Sequence, residues 1–479
     1  MLIEKESEAA DRGQPPLEAL EQLRDQAQSA GEHVSGFWGR LRHFVWSWWL
    51  RALVLAAKAT WKRWLAIIGL ALFAFLLILL IPVEEEPEYG LDHEFAIESD
   101  EFLPSMTGAT DTPFLPGNRI DVLNNGDQFY PAMLAAIEQA QQSITIEAYI
   151  YWAGDIGRRF AETLAAKARA GVTVKILLDA VGSSSISDEI LAILKDGGCQ
   201  VEWYHPVHWY TLNRANNRTH RKSLIVDGRV GFTGGAGIAD HWMGNAENPA
   251  HWRDIHIRIE GPAVTPLQSA FARNWLETTG ELISGPAYYP PQETPGPLAA
   301  QSILSSPETG SSTVRIMYYL SIVCARKTIF IANPYFIPDE QAIRILVEAK
   351  KRGVDVKIMV TGVHNDNIIA RYNSTRLYGR LLEAGVEIYE YNRTMLHQKY
   401  MVCDGIWSTV GTTNFDNRSF ALNDENNVCV YDRAFAAQWE HIFRQDLDSC
   451  KKIELGGWRN RGMITRLKEM VFSLFKSQA

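Results

Sequence analysis

One short pattern, His-x-Lys-x-x-x-x-Asp, occurs twice in the chain and strongly limits what the chain can fold into. The two copies are His220, Lys222 and Asp227, then His397, Lys399 and Asp404. Side chains two residues apart in an extended segment point to the same face, so the His and Lys of each copy should point the same way. The four residues between Lys and Asp, SLIV and YMVC, predict a buried strand in each copy.

Two such strands side by side would bring two histidines and two lysines into one small volume, which predicts a phosphodiester site. The phosphodiester is anionic, and paired Lys ammoniums can stabilise charge on its oxygens without a metal. One neutral His can attack phosphorus and form a phosphohistidine, while the other, protonated, gives its proton to the leaving alkoxide. Asp227 and Asp404 are candidates for orienting an imidazole or pairing with a Lys. No metal or cofactor is predicted.

The duplication extends well beyond the motif. Residues 144–152 match residues 328–336, and residues 166–179 match residues 349–362. In each half, strands alternate with amphipathic helices, which predicts an α/β fold class with helices packed on a sheet. We expect two such halves to face each other through their motif edges and to form one catalytic unit, with neither half active alone.

The paired motif, with GTTNFDNRS (411–419) and NDEN (423–426) in the second half, resembles the phospholipase D superfamily. Within it, the motif context, the segment HWRDIHIRIEGPAV (251–264) and an N-terminal apolar segment most resemble bacterial cardiolipin synthases. The resemblance covers roughly residues 119–455, and its paired motif is highly specific. It implies two homologous α/β/α halves around one shared active site, and transfer of a phosphatidyl group through a phosphohistidine without metal.

The resemblance also implies roles for individual residues. The first motif His usually attacks in this family, which would make His220 the nucleophile and His397 the general acid; the residues alone do not order them. Asn414 matches a phosphate-binding Asn, and Glu425 resembles an acidic residue that holds a motif His. The first half has Gly237 where that Asn would stand, so the two halves are not equivalent.

The function that these expectations favour is a membrane-anchored phosphatidyltransferase, which condenses two phosphatidylglycerols to cardiolipin and glycerol. The runner-up is a hydrolase with the same site, in which water replaces the acceptor hydroxyl and phosphatidic acid is released. A nucleic-acid phosphodiesterase is third, because the net charge is −9 and nucleic-acid binders are more often basic. A tethered binding protein with an inactive site is a different class, and two intact motifs argue against it. The acceptor alcohol and the oligomeric state stay open.

Residues 64–83 carry no charge and are long enough to span a hydrocarbon core of ~30 Å, which predicts a transmembrane helix. The shorter segment 44–57 contains Arg51 and predicts an interfacial helix, with a second span as the alternative. Lys and Arg residues precede the long span and three glutamates follow it, so the positive-inside rule places the catalytic unit on the outer face of the bacterial inner membrane. Five cysteines without paired spacing argue mildly against that side, because oxidising compartments favour paired ones.

The sequence predicts seven consecutive regions. They are a polar tail (1–42), an interfacial and a transmembrane helix (43–83), a linker (84–118), repeat one (119–284), a linker (285–312), repeat two (313–455) and a basic amphipathic helix (456–479). A basic amphipathic helix can lie in the headgroup region of anionic lipids. Packing on the catalytic unit is the alternative for this last region.

Overall fold

The computed structural model describes residues 45, 48–49, 65, 67–72, 89–90, 95–207, 216–306 and 312–473. The chain divides into two compact units, residues 1–87 and residues 88–479, and the second contains both motifs. None of the helices that the structure describes is long and apolar enough to cross a membrane. The predicted polar tail, interfacial helix and transmembrane helix lie wholly or largely outside the described residues.

Within the described residues of the second unit, sixteen strands form one sheet and two form a small separate one. The strands are β1 (Leu115–Asn124), β2 (Ser143–Ala148), β3 (Thr173–Asp179), β4 (Gln200–Tyr204), β5 (Arg218–Thr219), β6 (Lys222–Val226), β7 (Val230–Gly234), β8 (Ile255–Glu260), β9 (Leu298–Ser305), β10 (Thr328–Ala332), β11 (Phe336–Ile337), β12 (Asp355–Thr361), β13 (Glu387–Tyr391), β14 (Tyr400–Cys403), β15 (Trp407–Gly411), β16 (Phe415–Asp416), β17 (Asn423–Tyr431) and β18 (Cys450–Lys452). The strand order is β18-β13-β12-β10-β14-β15-β17-β9-β1-β8-β7-β6-β2-β3-β4; β5 pairs with β17, and β11 with β16.

Helices cover the sheet. They are α1 (Phe102–Thr110), α2 (Gly126–Gln139), α3 (Asp155–Arg169), α4 (Asp188–Asp196), α5 (Val264–Thr279), α6 (Thr313–Cys324), α7 (Glu340–Lys351), α8 (Ile368–Glu383), α9 (Asn417–Ala421), α10 (Arg433–Leu447), α11 (Leu455–Arg459) and α12 (Met463–Phe472). Their apolar faces are buried against the strands; Phe160 and Leu164 on α3, for example, are fully buried.

The predicted α/β fold with two homologous halves is confirmed. The order β4-β3-β2-β6-β7-β8-β1 in the first half matches β13-β12-β10-β14-β15-β17-β9 in the second. The halves join where β1 pairs antiparallel with β9, through Leu115 opposite Ala300 and Asn118 opposite Leu298. One apolar cluster contains buried residues of both halves, such as Ile257 and Trp439, so the halves share part of their core.

The prediction that the two motif strands lie side by side is wrong. Six strands (β15, β17, β9, β1, β8 and β7) separate β14 from β6 in the sheet order. The halves associate through β1 and β9, so the motif strands cannot also be neighbours. The segments that precede the motif strands make the contact instead: β5 pairs with β17, and Leu396 forms a bridge with Arg253.

Both predicted linkers contain regular structure, which corrects their boundaries. The segment 84–118 includes α1, whose Phe102 and Met106 are fully buried in the core of repeat two. The segment 285–312 includes β9, a central strand of the sheet. The acidic and proline-rich composition of these segments concealed the few apolar residues that pack them against the core.

The described part of the predicted C-terminal helix is two short helices, α11 and α12, docked on α8. Trp458 Nε1 donates to the carbonyl of Thr375 at 2.8 Å, and the Phe472 ring stacks on Tyr372 with centroids 5.3 Å apart. Apolar side chains of α12 nevertheless remain exposed. They are Met463, Ile464, Leu467, Met470 and Val471. The helix therefore packs on the catalytic unit and also presents an apolar surface.

Candidate active site

Each motif histidine lies on a short segment that is hydrogen-bonded to the opposite half. The backbone N–H of His220 donates to the carbonyl of Asp424 at 3.0 Å. The backbone N–H of His397 donates to the carbonyl of Arg253 at 2.8 Å, and Arg253 donates back to Met395. The two contacts are equivalent under the duplication, so each half presents its histidine to the other.

The histidine side chains are paired with carboxylates across the same boundary. His220 Nδ1 lies 2.9 Å from Glu425 Oε1 and 3.0 Å from Oε2. His397 Nδ1 lies 2.7 Å from Asp254 Oδ2. Both carboxylates are fully buried. When Nδ1 donates a hydrogen bond to a carboxylate, the lone pair of the neutral ring is at Nε2, on the other side of the ring.

Asp254 is a site residue that the sequence analysis did not assign. It occupies the same register as Glu425, because Gly234 pairs with His256 and Gly411 pairs with Asn427, each two residues further along. An alignment of the strand that follows each motif could have found it. The two intervening loops differ in length and the two acids differ in type, and both differences weaken that signal.

The two lysines are buried and donate to the carbonyl of their own motif histidine. Lys222 Nζ donates to the carbonyl of His220 at 2.8 Å, and Lys399 Nζ donates to that of His397 at 2.6 Å. Burial, reinforced by Lys399, lowers the pKa of Lys222 to about 7, and burial lowers the pKa of Lys399 to about 8. An ammonium has three donors, so Lys222 keeps two for a ligand, whereas Lys399 Nζ also lies 3.3 Å from both ring nitrogens of His397. An anion beside these cations would offset the cost of burying them.

The environment keeps the carboxylates ionised and the imidazoles neutral. Burial lowers the pKa of His220 to about 4 against the opposing charge of Glu425, and burial with the charge of Lys399 lowers the pKa of His397. Burial alone would raise the pKa of Glu425 and of Asp254, but their histidine partners bring both below the ordinary value. A neutral imidazole can act as a nucleophile, and an arriving anionic phosphate would raise the pKa of the other imidazole.

Asp227 and Asp404, predicted to orient an imidazole or pair with a lysine, do neither. Each lies at the far end of its motif strand and accepts hydrogen bonds from three consecutive backbone N–H groups, at residues 141–143 for Asp227 and 326–328 for Asp404. Both occupy the left-handed backbone region, with φ of 54° and 53°. Motif strands of five and four residues separate these carboxyls from the histidines. Their role is therefore structural: they close the turn after the motif strand.

Only repeat two has an amide side chain at this position of the site, because Asn414 has Gly237 as its counterpart in repeat one. Asn414 is buried beside the cavity, and its Oδ1 has no hydrogen-bond partner within the part of the chain that the structure describes. A Cβ added at Gly237 would lie 2.8 Å from Cβ of Ile150. Repeat one therefore has no room for the amide that repeat two supplies.

Both motif histidines border one cavity of about 650 Å³. Lys222 and Asn414 also line it, and Lys399 Nζ donates to the carbonyl of His397 beside it. Its wall includes aromatic and aliphatic side chains. These are Tyr149, Ile150, Trp152, Val181, Trp252, Tyr335, Ile368 and Ile369. Among the described residues, no group of three or more His, Cys, Asp or Glu side chains is placed to hold a metal ion.

Two halves that contribute one His, one Lys and one acid each to a shared anion-binding cavity define an enzyme of the phospholipase D superfamily. The family model described as "Cardiolipin synthase, PLD-like domain" matches residues 133–275 and 321–447. The chain belongs to this family and is a phosphatidyltransferase that acts in phospholipid synthesis.

Named relatives agree with this assignment, and a solved structure agrees with the fold. The chain is 34% identical to cardiolipin synthase 2 of Bacillus anthracis over 375 residues, which is 78% of this chain and 72% of that protein. It is 36% identical to the cardiolipin synthase of Alkalihalophilus pseudofirmus over 351 residues, 73% of this chain and 70% of that one. The phosphatidylserine synthase structure from Haemophilus influenzae Rd KW20 has a TM-score of 0.62 at 16% identity, covers 79% of this chain and 97% of its own, and supports the fold alone.

Proposed function

We propose that the enzyme joins two phosphatidylglycerols to give cardiolipin and glycerol through a phosphohistidine. The observation that carries the proposal is the crossed pairing of His220 with Glu425 and of His397 with Asp254 beside one cavity. Two imidazoles held by carboxylates can divide the roles of nucleophile and proton carrier. Curated cardiolipin synthases that resemble most of the chain add support for the product.

In the first step, Nε2 of His220 attacks phosphorus of the donor lipid while Glu425 accepts the Nδ1 proton in a hydrogen bond. The P–O bond to the headgroup glycerol breaks, and its oxygen takes a proton from His397. Lys222, Lys399 and the Asn414 amide stabilise the charge on the non-bridging oxygens. Assignment of attack to His220 follows the family resemblance, because burial lowers the pKa of both imidazoles and does not order them.

In the second step, neutral His397 removes the proton from a headgroup hydroxyl of the second phosphatidylglycerol. That oxygen attacks phosphorus, and the P–N bond to His220 breaks. Asp254 stabilises the imidazolium that forms on His397. The histidine that acts as acid in the first step thus acts as base in the second, and the enzyme returns to its starting protonation state. Water in place of the lipid hydroxyl would give phosphatidic acid.

The experiment that tests the proposal uses the purified full-length protein in detergent with labelled phosphatidylglycerol, followed by separation of the lipids. We expect cardiolipin and glycerol in equal amounts. Phosphatidic acid as the sole lipid product would show that the enzyme is a hydrolase instead. A protein with both histidines replaced by alanine, His220→Ala with His397→Ala, is the blank for chemical hydrolysis.

We propose further that α12 touches the lipid surface near the cavity. The Phe472 ring stacks on Tyr372, one helical turn from Ile368, which lines the cavity and is 57% exposed. The exposed apolar side chains of α12 stand among Arg466 and Lys468. This combination of apolar and basic residues suits the headgroup region of anionic lipids.

Introducing charge into this apolar face should slow the reaction on membranes. For Leu467→Glu with Met470→Glu, we expect phospholipid synthesis in phosphatidylglycerol vesicles to fall about 10-fold or more, since each large apolar side chain contributes about 1.5–3 kcal/mol when buried. Activity in detergent micelles should fall much less. The control is Leu282→Glu, at a leucine outside α12 that is 71% exposed, compared with 55% for Leu467. Equal activity of the double variant and the control on vesicles would rule out this contact.

For the N-terminal region we propose a single-pass anchor at residues 64–83 in the bacterial cell membrane, with the catalytic unit on the outer face. The basic residues before this segment and the acidic residues after it support that orientation. Protease added to intact spheroplasts should then digest the catalytic unit. Protection until lysis would place the catalytic unit in the cytoplasm and favour a second crossing at residues 44–57.

A further inference from the structure

Repeat one carries a cation beside its motif histidine that repeat two lacks. Arg218 precedes His220 by two residues, whereas Met395 precedes His397 by two. Arg218, His220 and Lys222 all line the cavity, as expected for alternate residues of an extended segment. The cavity therefore has a third positive charge next to the proposed nucleophile and none in the equivalent place next to His397.

Two of the three guanidinium nitrogens of Arg218 donate hydrogen bonds to described residues, and the third does not. The side chain is buried at 2% exposure, and Nε and Nη2 donate to the carbonyls of Asn217 and His205 at 2.8 and 2.7 Å. Nη1 makes no hydrogen bond to any residue that the structure describes; Asp179 Oδ1 is 3.6 Å away. Asp179 already accepts hydrogen bonds from the backbone N–H groups of residues 181, 182 and 219. A buried donor left in this way is costly unless a ligand accepts from it.

A second guanidinium lines the same part of the cavity from repeat two. Arg418 is half-buried, and it donates to the side chain and the carbonyl of Asn216 at 2.7 and 3.2 Å, two residues from Arg218. The carboxyl of Asp416 also lines this region, and burial raises its pKa to about 7, which reduces its negative charge near neutral pH. Two guanidiniums, those of Arg218 and Arg418, therefore line the wall next to His220.

We propose that Arg218 and Arg418 bind the phosphate of the acceptor lipid. This inference rests on the proposed function, because only an acceptor with its own phosphate needs a second anion site. The donor has one phosphate, which the motif residues bind, and its leaving group is neutral glycerol. The two phosphates of cardiolipin are separated by one glycerol bridge. That separation is comparable to the spacing of about 6.6–6.8 Å between alternate residues of a strand, such as Arg218 and His220.

The test compares two reactions of the same full-length enzyme in detergent. The first is cardiolipin formation from phosphatidylglycerol, which uses both anion sites. The second is exchange of labelled free glycerol into phosphatidylglycerol, which needs only the donor site because the acceptor is neutral. The variants are Arg218→Met, which copies repeat two, and Arg418→Gln at the more exposed position. The control is Arg229→Gln, whose side chain is 47% exposed at the far end of the motif strand.

For both variants we expect the ratio of cardiolipin formation to glycerol exchange to fall about 10-fold or more, the effect of losing one charge-assisted hydrogen bond. The Arg229 control should keep the wild-type ratio. An unchanged ratio in Arg218→Met and Arg418→Gln would overturn the inference, whether or not their total activity falls. A wild-type enzyme that exchanges glycerol yet makes no cardiolipin would overturn the proposed function, and the inference with it.

Discussion

Replacement of either motif histidine by alanine, His220→Ala or His397→Ala, should reduce turnover by about 10⁴-fold or more, because nucleophile and acid act as one unit. A residue that only bound phosphate would cost far less. The measurement is cardiolipin formation by each purified variant under saturating phosphatidylglycerol. His441→Ala replaces an exposed histidine on α10 and should behave like the wild type.

The two variants should differ in what they trap. If His220 attacks, His397→Ala can still form an acid-labile phosphoenzyme, slowly, while His220→Ala cannot. Labelled donor lipid, a rapid quench and peptide mapping would locate the adduct. An adduct on His397 in the wild type would show that His397 is the nucleophile and His220 the general acid. Full activity of either variant would rule out this active site.

The duplication beyond the motif was sufficient to predict the α/β halves, the motif selected the histidines and lysines, and the family resemblance selected Glu425. The motif could not place the two motif strands, because side-chain alternation fixes which face a residue points to but not which strands pair. The pairing of β1 with β9 determines where the motif strands lie in the sheet, and neither β1 nor β9 contains a motif residue. The linkers were misjudged for a related reason, since β9 lies in a segment with linker-like composition.

The acids of the motif show that closeness in sequence did not predict which acid contacts each histidine. Asp227 and Asp404 are close to the histidines in sequence, and the structure uses them to close turns. Asp254 and Glu425 are distant in sequence and belong to the opposite half from the histidine that each contacts. A partner across the boundary between halves leaves no spacing signal within one repeat. The pairing of β8 and β17 with their neighbours shows that the two acids are equivalent.

Asp254→Asn should therefore lower turnover by roughly 10²–10⁴-fold, the range over which a positioned proton carrier contributes. The amide can still lie near His397 Nδ1, but it carries no charge to stabilise the imidazolium and can stabilise the wrong tautomer. The carboxylate raises the pKa of His397 against the effect of burial. Its loss should lower that pKa further, so the fall of the first-step rate with rising pH should move to lower pH. Pre-steady-state glycerol release across the pH range measures this shift.

Asp227→Asn is the matched control, because it makes the same chemical change at an acid of the motif itself. The Asp227 carboxylate accepts hydrogen bonds from three backbone N–H groups outside the cavity, so its loss should lower the unfolding temperature and leave the pH profile in place. The opposite pattern is a displaced pH profile in Asp227→Asn and an intact one in Asp254→Asn. It would show that the motif acids take part in proton transfer. The crossed pairing of the halves would then be structural. With the expected pattern, neither repeat contains a complete proton-transfer unit, so a separated half should be inactive.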